Sequence, residues 1–220
     1  PKVSVLVPIY NMEKYLKDCL DSLVSQTLED IEIVLVNDGS TDGSREIIKN
    51  YMARYSNIVL VDQKNTGLGG ARNAGLCVAT GEYIGFVDAD DFVDCKMYET
   101  LCTVAQSNNA DVVICNSKFY PYPIKHKKIW FKEYTGDIDA YFLDRNVQPG
   151  NKIVHRKLLD QINFRFFDKN GDGAYLNILL NAQKIITLPD YYYYFYRVGH
   201  NSMSLNYSIE HMKREVRNAE

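Results

Sequence analysis

The chain has 220 residues, 46% of them hydrophobic, with 25 Lys and Arg against 28 Asp and Glu and a net charge of −3. That size allows one large domain, or one domain with an extension, around a substantial core. The slight acidity argues against a general nucleic-acid binder, and the lack of an apolar run near ~20 residues argues against a transmembrane helix.

No secretory signal is visible, and the chain opens on Pro1 without Met, as a trimmed sequence would. The cysteines Cys19, Cys77, Cys95, Cys102 and Cys115 are odd in number and have no metal-ligand spacing. They fall mostly in apolar stretches and read as buried thiols of a reducing cytosol.

Residues 3–7 read as a strand stopped by Pro8. Residues 12–27 place Leu16, Cys19, Leu20 and Leu23 at helical spacing, with Asn11 as N-cap. A second strand covers 32–36, and a polar loop covers 37–43. The next helix has Ile47, Ile48, Tyr51, Met52 and Tyr55 as its apolar face. A third strand at 58–61 leads to a Gly-rich loop at 65–70, then a helix through Leu76 and Val78 that ends near Gly81. Residues 83–87 form a fourth strand, 96–107 a helix and 111–115 a fifth strand. These strands are continuous apolar runs, the pattern of a parallel sheet buried on both faces. The unit reads as an open, right-handed βαβ sheet.

Beyond residue 117 the pattern weakens. Residues 118–132 interleave Lys118, Lys125, Lys127, Lys128 and Lys132 with aromatics and two prolines, as irregular or edge-strand structure does. A helix is expected at 172–183, a strand at 191–196, and the start of a charged amphipathic helix at 208–220.

Ligands bind such sheets beyond the carboxyl ends of the strands. Pro8-Ile9-Tyr10, Asn37-Asp38-Gly39, the 65–70 loop and Asp88-Ala89-Asp90-Asp91 all follow strands. Asp88 and Asp90 are two apart, so at a strand end they project to the same side. Carboxylates crowded in this way repel each other unless a cation lies between them. Their hard oxygens suit Mg²⁺ or Mn²⁺, ions that keep positions open for substrate phosphates. Read blandly, the same residues are a polar strand end or a helix cap.

The segments Val3-Ser4-Val5-Leu6-Val7-Pro8-Ile9-Tyr10-Asn11, Val36-Asn37-Asp38-Gly39-Ser40-Thr41-Asp42, Asn65-Thr66-Gly67 with Ala71-Arg72-Asn73, and Asp88-Ala89-Asp90-Asp91 occur in that order. Together they resemble the family 2 inverting glycosyltransferases of bacterial capsule, exopolysaccharide or lipopolysaccharide assembly. The resemblance is strong over 2–117 and weaker to about 203. It implies an α/β GT-A fold, a Rossmann-like, mostly parallel sheet flanked by helices, with a C-terminal acceptor-side extension. Residues 1–117 would be the nucleotide-sugar-binding half and 118–204 the acceptor and catalytic-base half of one domain, followed by a C-terminal helix at 205–220.

The resemblance assigns nucleotide binding to Pro8, Tyr10, Asp38, Gly67, Arg72 and Asp88. The Tyr10 ring would stack on the base; otherwise it is a rim aromatic. Asp38 would accept the imide N–H of uracil; otherwise it makes an Asx-turn. Gly67, Gly69 and Gly70 allow close backbone approach at a helix N-terminus, where phosphate is favoured. Arg72 would face the nucleotide; otherwise it is a solvated helix arginine. Asp90 would be the principal metal ligand, Asp88 would meet the ribose or the metal, and Asp91 would cap the following turn.

An inverting transfer needs a general base. The family carries it in a Glu-Asp pair opening a helix, which aligns Asp172 here, with Gly171 in place of the Glu. Asp168 is the fallback, and Asp172 also reads as an N-cap. Arg197 or His200 would meet the diphosphate, and His200 alternatively the metal. The Gln-x-x-Arg-Trp motif of processive enzymes is absent, and Trp130 is the only Trp.

The expected activity is Mg²⁺- or Mn²⁺-dependent transfer from a UDP-sugar to a hydroxyl of a glycan or lipid-linked acceptor. One rival is a sugar-phosphate nucleotidyltransferase, which carries a Gly-rich basic loop where this chain has Pro8-Ile9-Tyr10-Asn11. The other is a non-catalytic nucleotide- or glycan-binding module, which Gly171 favours. The 118–132 stretch reads as a solvated loop with core aromatics, or as a contact with an anionic membrane or a lipid-linked pyrophosphate. The corresponding location is cytoplasmic, or peripheral at the inner face of the membrane.

Overall fold

In the first strand, β1 (Val3–Ile9), every residue is buried, because helices cover both faces of the sheet. Successive side chains point to opposite faces. Val3, Val5, Val7 and Ile9 join one core cluster with Leu16, Leu20, Ile48 and Leu101. Leu6 joins the other, with Val34, Ala71, Leu158 and Tyr175. The computed structural model describes residues 1–121, 148–167 and 174–197. Residues 122–132, Asp168, Gly171, Asp172, His200 and the expected helix at 208–220 lie outside the described residues.

The remaining strands are β2 (Ile31–Asp38), β3 (Ile58–Gln63), β4 (Tyr83–Phe86), β5 (Phe92–Val93), β6 (Val112–Tyr120), β7 (Lys152–His155) and β8 (Ile185–Arg197). They form one sheet in the order β3-β2-β1-β4-β7-β6-β8-β5. β7 runs antiparallel to β4 and β6, and β5 antiparallel to β8; the other pairings are parallel. The sheet is therefore mostly parallel. β6 crosses position 117, so both halves of the chain share this sheet.

Helices α1 (Leu16–Val24), α2 (Ser44–Met52), α3 (Leu68–Val78) and α4 (Met97–Asn108) connect the first strands. After β7 come α5 (Arg156–Gln161) and α6 (Ala174–Asn181). The strand-then-helix unit β7–α5 is not legible in the sequence. β7 is only four residues long and begins with a lysine, which the structure buries completely.

β1 continues through Pro8 to Ile9, past the expected stop. Leu6 O accepts from Val87 N (3.0 Å), so the even-numbered backbone groups of β1 face β4. The missing Pro8 N–H falls on that same side. The β1–β4 register ends at Leu6 opposite Phe86, so Pro8 removes no ladder hydrogen bond. It lies where β1 and β4 part. That gap is the topological switch point of the sheet, the usual crevice for ligands.

Asn11 is not the N-cap of α1. It adopts a left-handed backbone (φ 54°), and its side-chain oxygen accepts from Thr41 N (2.8 Å) in the loop after β2. The helix begins only after Tyr15, which makes no side-chain cap. Asn tolerates that conformation, and a bond to a neighbouring loop competed successfully with a local cap.

The cysteines divide. Cys19, Cys102 and Cys115 are buried, whereas Cys77 and Cys95 are exposed. Among the described residues, no helix is long and apolar enough to cross a membrane.

Candidate active site

The four strand-end segments meet on one rim because β1 to β4 run parallel. Asp38, the last residue of β2, is buried. Its Oδ1 accepts from Gln63 Nε2 (2.8 Å), Thr66 N (2.9 Å) and Thr66 Oγ1 (3.1 Å). Its Oδ2 accepts from Gly67 N (2.9 Å). The carboxylate thus ties the loop after β3 to the end of β2. Oδ2 retains an acceptor position for one more N–H. Gly39, directly after Asp38, has φ 73°, and a Cβ there would lie 2.8 Å from Asn65 N. Only glycine lets the two loops approach this closely.

Gly67 precedes α3 with φ 83°, and nothing lies within 4 Å of where its Cβ would be. The open space in front of this helix N-terminus leaves the backbone approachable, as phosphate recognition needs. One turn on, Arg72 is 1% exposed and is not a solvated helix arginine. Its Nη2 donates to Asp88 Oδ1 (2.9 Å), and its guanidinium lies 5.4 Å from the centre of the Phe166 ring. The next residue, Asn73, donates to Phe166 O (2.8 Å) and accepts from Phe166 N (2.9 Å). This pair straps the segment after α5 onto α3.

Asp88 and Asp90 are partly buried and follow β4 directly. Asp91 behaves differently from the expected turn cap. Its buried carboxyl reaches across to β8, where Oδ2 accepts from Tyr194 Oη (2.6 Å) and Oδ1 from Arg197 N (2.7 Å). Burial, reinforced by the charges of Asp90 and Asp88, pushes its pKa well above the carboxylate range. Arg197 itself is heavily committed. Nε donates to Asp90 O (2.8 Å), and Nη2 pairs with Asp18 Oδ2 of α1 (2.8 Å). The guanidinium also lies against the rings of Tyr15, Phe92 and Tyr120. The acidic loop is therefore clamped from both sides, by Arg72 and by β8. Nothing in the sequence singles out Tyr194 or Asn73 for these contacts. The tyrosine run reads only as a strand, and register alone singles out Tyr194.

Tyr10 projects from the end of β1 and is 47% exposed. Pro8 is buried beneath it. No described group of three or more His, Cys, Asp or Glu could hold a metal. The hard oxygens of Asp88 and Asp90 do fit Mg²⁺ or Mn²⁺, which one or two carboxylates plus substrate phosphates suffice to bind.

A mostly parallel sheet with its switch-point crevice, a glycine-led helix N-terminus and paired carboxylates make a GT-A fold. Residues 4–163 match the profile of glycosyl transferase family 2, and the chain belongs to that family. It is 34% identical over 223 residues to the glycosyltransferase GlyA of Streptococcus pneumoniae, covering 92% of this chain and 31% of GlyA. It is 33% identical over 226 residues to GlyG of the same organism, covering 94% of this chain and 74% of GlyG. The structure of Staphylococcus aureus TarS 1–349 in complex with UDP-GlcNAc superposes with a TM-score of 0.82 at 26% identity, over 92% of this chain and 60% of that one. The chain spans about a third of the length of several curated relatives it matches.

Proposed function

We propose that this chain transfers a sugar from a UDP-sugar to a hydroxyl of a glycan or lipid-linked acceptor, with inversion at the anomeric carbon. The observation that carries the reading is the placement of Tyr10, Asp38, Gly67 and Asp88 on one rim, after the carboxyl ends of β1 to β4, with buried Arg72 joining α3 to the acidic loop. The UDP-GlcNAc complex of TarS supports UDP as the nucleotide.

The Tyr10 ring stacks on the uracil, and the remaining acceptor position of Asp38 takes its imide N–H. The amides at the start of α3 face the diphosphate. Asp90, with Asp88, would hold Mg²⁺ or Mn²⁺, and a bound ion would supply positive charge to the departing diphosphate. Asp172 removes the proton of the acceptor hydroxyl as that oxygen attacks opposite the leaving group, with Asp168 as the alternative base. One in-line displacement gives inversion. His200 would meet the diphosphate or the metal. Arg197, already bound to Asp18 and Asp90 O, is the weaker diphosphate candidate. A membrane-facing role for 118–132 is part of the same reading; salt-sensitive retention on anionic vesicles supports it, and no retention at low salt rejects it.

The test is release of nucleotide from a panel of nucleotide sugars with Mn²⁺, Mg²⁺ or EDTA. Metal-dependent turnover of a UDP-sugar, lost in Asp90→Ala, is expected. A folded Asp172→Asn protein with full transfer removes Asp172 from the mechanism. Absence of nucleotide binding rejects the proposal.

A further inference from the structure

The acidic loop is flanked by two exposed tyrosines at strand ends, Tyr10 after β1 and Tyr120 closing β6, and the proposed reaction uses only the first. Tyr120 is 43% exposed. Its ring stands edge-on to Phe92 (5.0 Å, 83°), which stacks flat on Phe195 (4.8 Å, 6°). The Arg197 guanidinium lies 5.2 Å from the Tyr120 ring, and the same group donates to Asp90 O. β4 and β7 separate β1 from β6. Three inter-strand spacings amount to roughly 14 Å, so one planar group cannot lie on both tyrosines.

We infer that Tyr120, backed by Phe92 and Arg197, is the stacking platform of an acceptor subsite that takes a pyranose ring. The inference rests on the glycosyl-transfer reading for the word acceptor, but not for sugar binding itself. A pyranose presents C–H groups on its face and hydroxyls around its edge. Tyr120 presents the complement: an apolar ring face braced by Phe92 and Arg197, with a phenol hydroxyl at its margin. Because Phe92 and Arg197 already hold the ring, little conformational entropy is lost when a ligand stacks on it. The platform adjoins the acidic loop through Arg197, on the side away from Tyr10. A sugar stacked there lies next to the loop without competing for the nucleobase position.

The test is saturation-transfer NMR with methyl β-glucopyranoside, methyl β-galactopyranoside and methyl N-acetyl-β-glucosaminide, with and without UDP and Mg²⁺. UDP affinity is measured separately by calorimetry. Transfer to the ring C–H protons of at least one glycoside is expected. It falls at least fivefold in Tyr120→Ala and persists in Tyr120→Phe, with UDP affinity unchanged within twofold. Tyr191→Ala is the control. That tyrosine is 44% exposed but lies six residues before Arg197 on β8, about 20 Å from the rim by strand rise. No transfer to any glycoside, equal transfer in Tyr120→Ala, or an equal loss in Tyr191→Ala overturns the inference. Failure of UDP to bind, with Tyr120-dependent sugar binding intact, overturns the glycosyl-transfer reading and leaves the subsite standing.

Discussion

Asp38→Asn separates a residue that reads the base from one that builds the loop around it. The carboxylate accepts from Gln63, from the backbone and hydroxyl of Thr66, and from Gly67 N. An amide has one acceptor oxygen. If that oxygen takes the place of Oδ1, three bonds survive but lose their charge assistance, about 1 kcal/mol each. The new NH₂ then faces the Gly67 N–H, donor against donor, at a further cost of about 1–3 kcal/mol. Thr66 is exposed, so water can satisfy part of what is lost. With the two Thr66 bonds replaced by water, a net local cost of about 2–4 kcal/mol remains, or a roughly 30- to 900-fold larger open fraction of the loop. The assay is amide hydrogen exchange over residues 64–70 without nucleotide. Faster exchange at Thr66 and Gly67, together with weaker UDP binding, is expected. Unchanged exchange in a variant that has lost UDP affinity refutes the reasoning, because Asp38 would then act on the ligand alone.

Four further outcomes are expected. Gly75→Ala places a Cβ 2.9 Å from Leu6 Cδ2 and 3.2 Å from Val36 Cγ2, which should lift α3 from the sheet at a cost of about 1–3 kcal/mol in urea unfolding. Tyr194→Phe removes the donor to buried Asp91 and should cost about 1–3 kcal/mol, read as a lower urea midpoint with an unchanged slope. Thiol titration of the native protein should give a fast reaction at Cys77 and Cys95 only. Burial pushes the Cys102 and Cys115 thiols up to about 12 and Cys19 well above the ordinary value, so these three should react on unfolding. Burial pushes the Glu32 carboxyl up, but hydrogen bonds from Ser4 and from the backbone and hydroxyl of Thr80 outweigh it and hold the pKa below its usual 4.5. Below that value the unfolded chain binds more protons, so this contribution to stability is lost as pH falls through the folded pKa. Thermal unfolding of Glu32→Gln should therefore show a shallower acid-side slope than wild type.

Much of the first half of the sheet was legible from residue order. The apolar runs marked β1, β2 and β4, because strands buried on both faces need no alternation. Turn-rich and acidic residues after each run marked the rim. Their limits moved where a partner strand or loop decided. Pro8 stayed inside β1 because its missing N–H faces a gap that only the β1–β4 register creates. Asn11 lost its cap to a loop 30 residues away. The second half of the sheet was less legible. β7 is short and carries buried Lys152, so its apolar signal is weak, and its place between β4 and β6 is set by long-range pairing.

The sequence alone determined the fold class, the positions of the rim segments and the acidic pair, because periodicity and turn chemistry are local properties. Tertiary structure decided what each side chain does there. It buried Arg72 against Asp88, tied up the carboxylate of Asp38, turned Asp91 toward Tyr194 and committed Arg197 to Asp18. Each of these contacts joins residues from different elements, and no spacing along the chain encodes such a meeting.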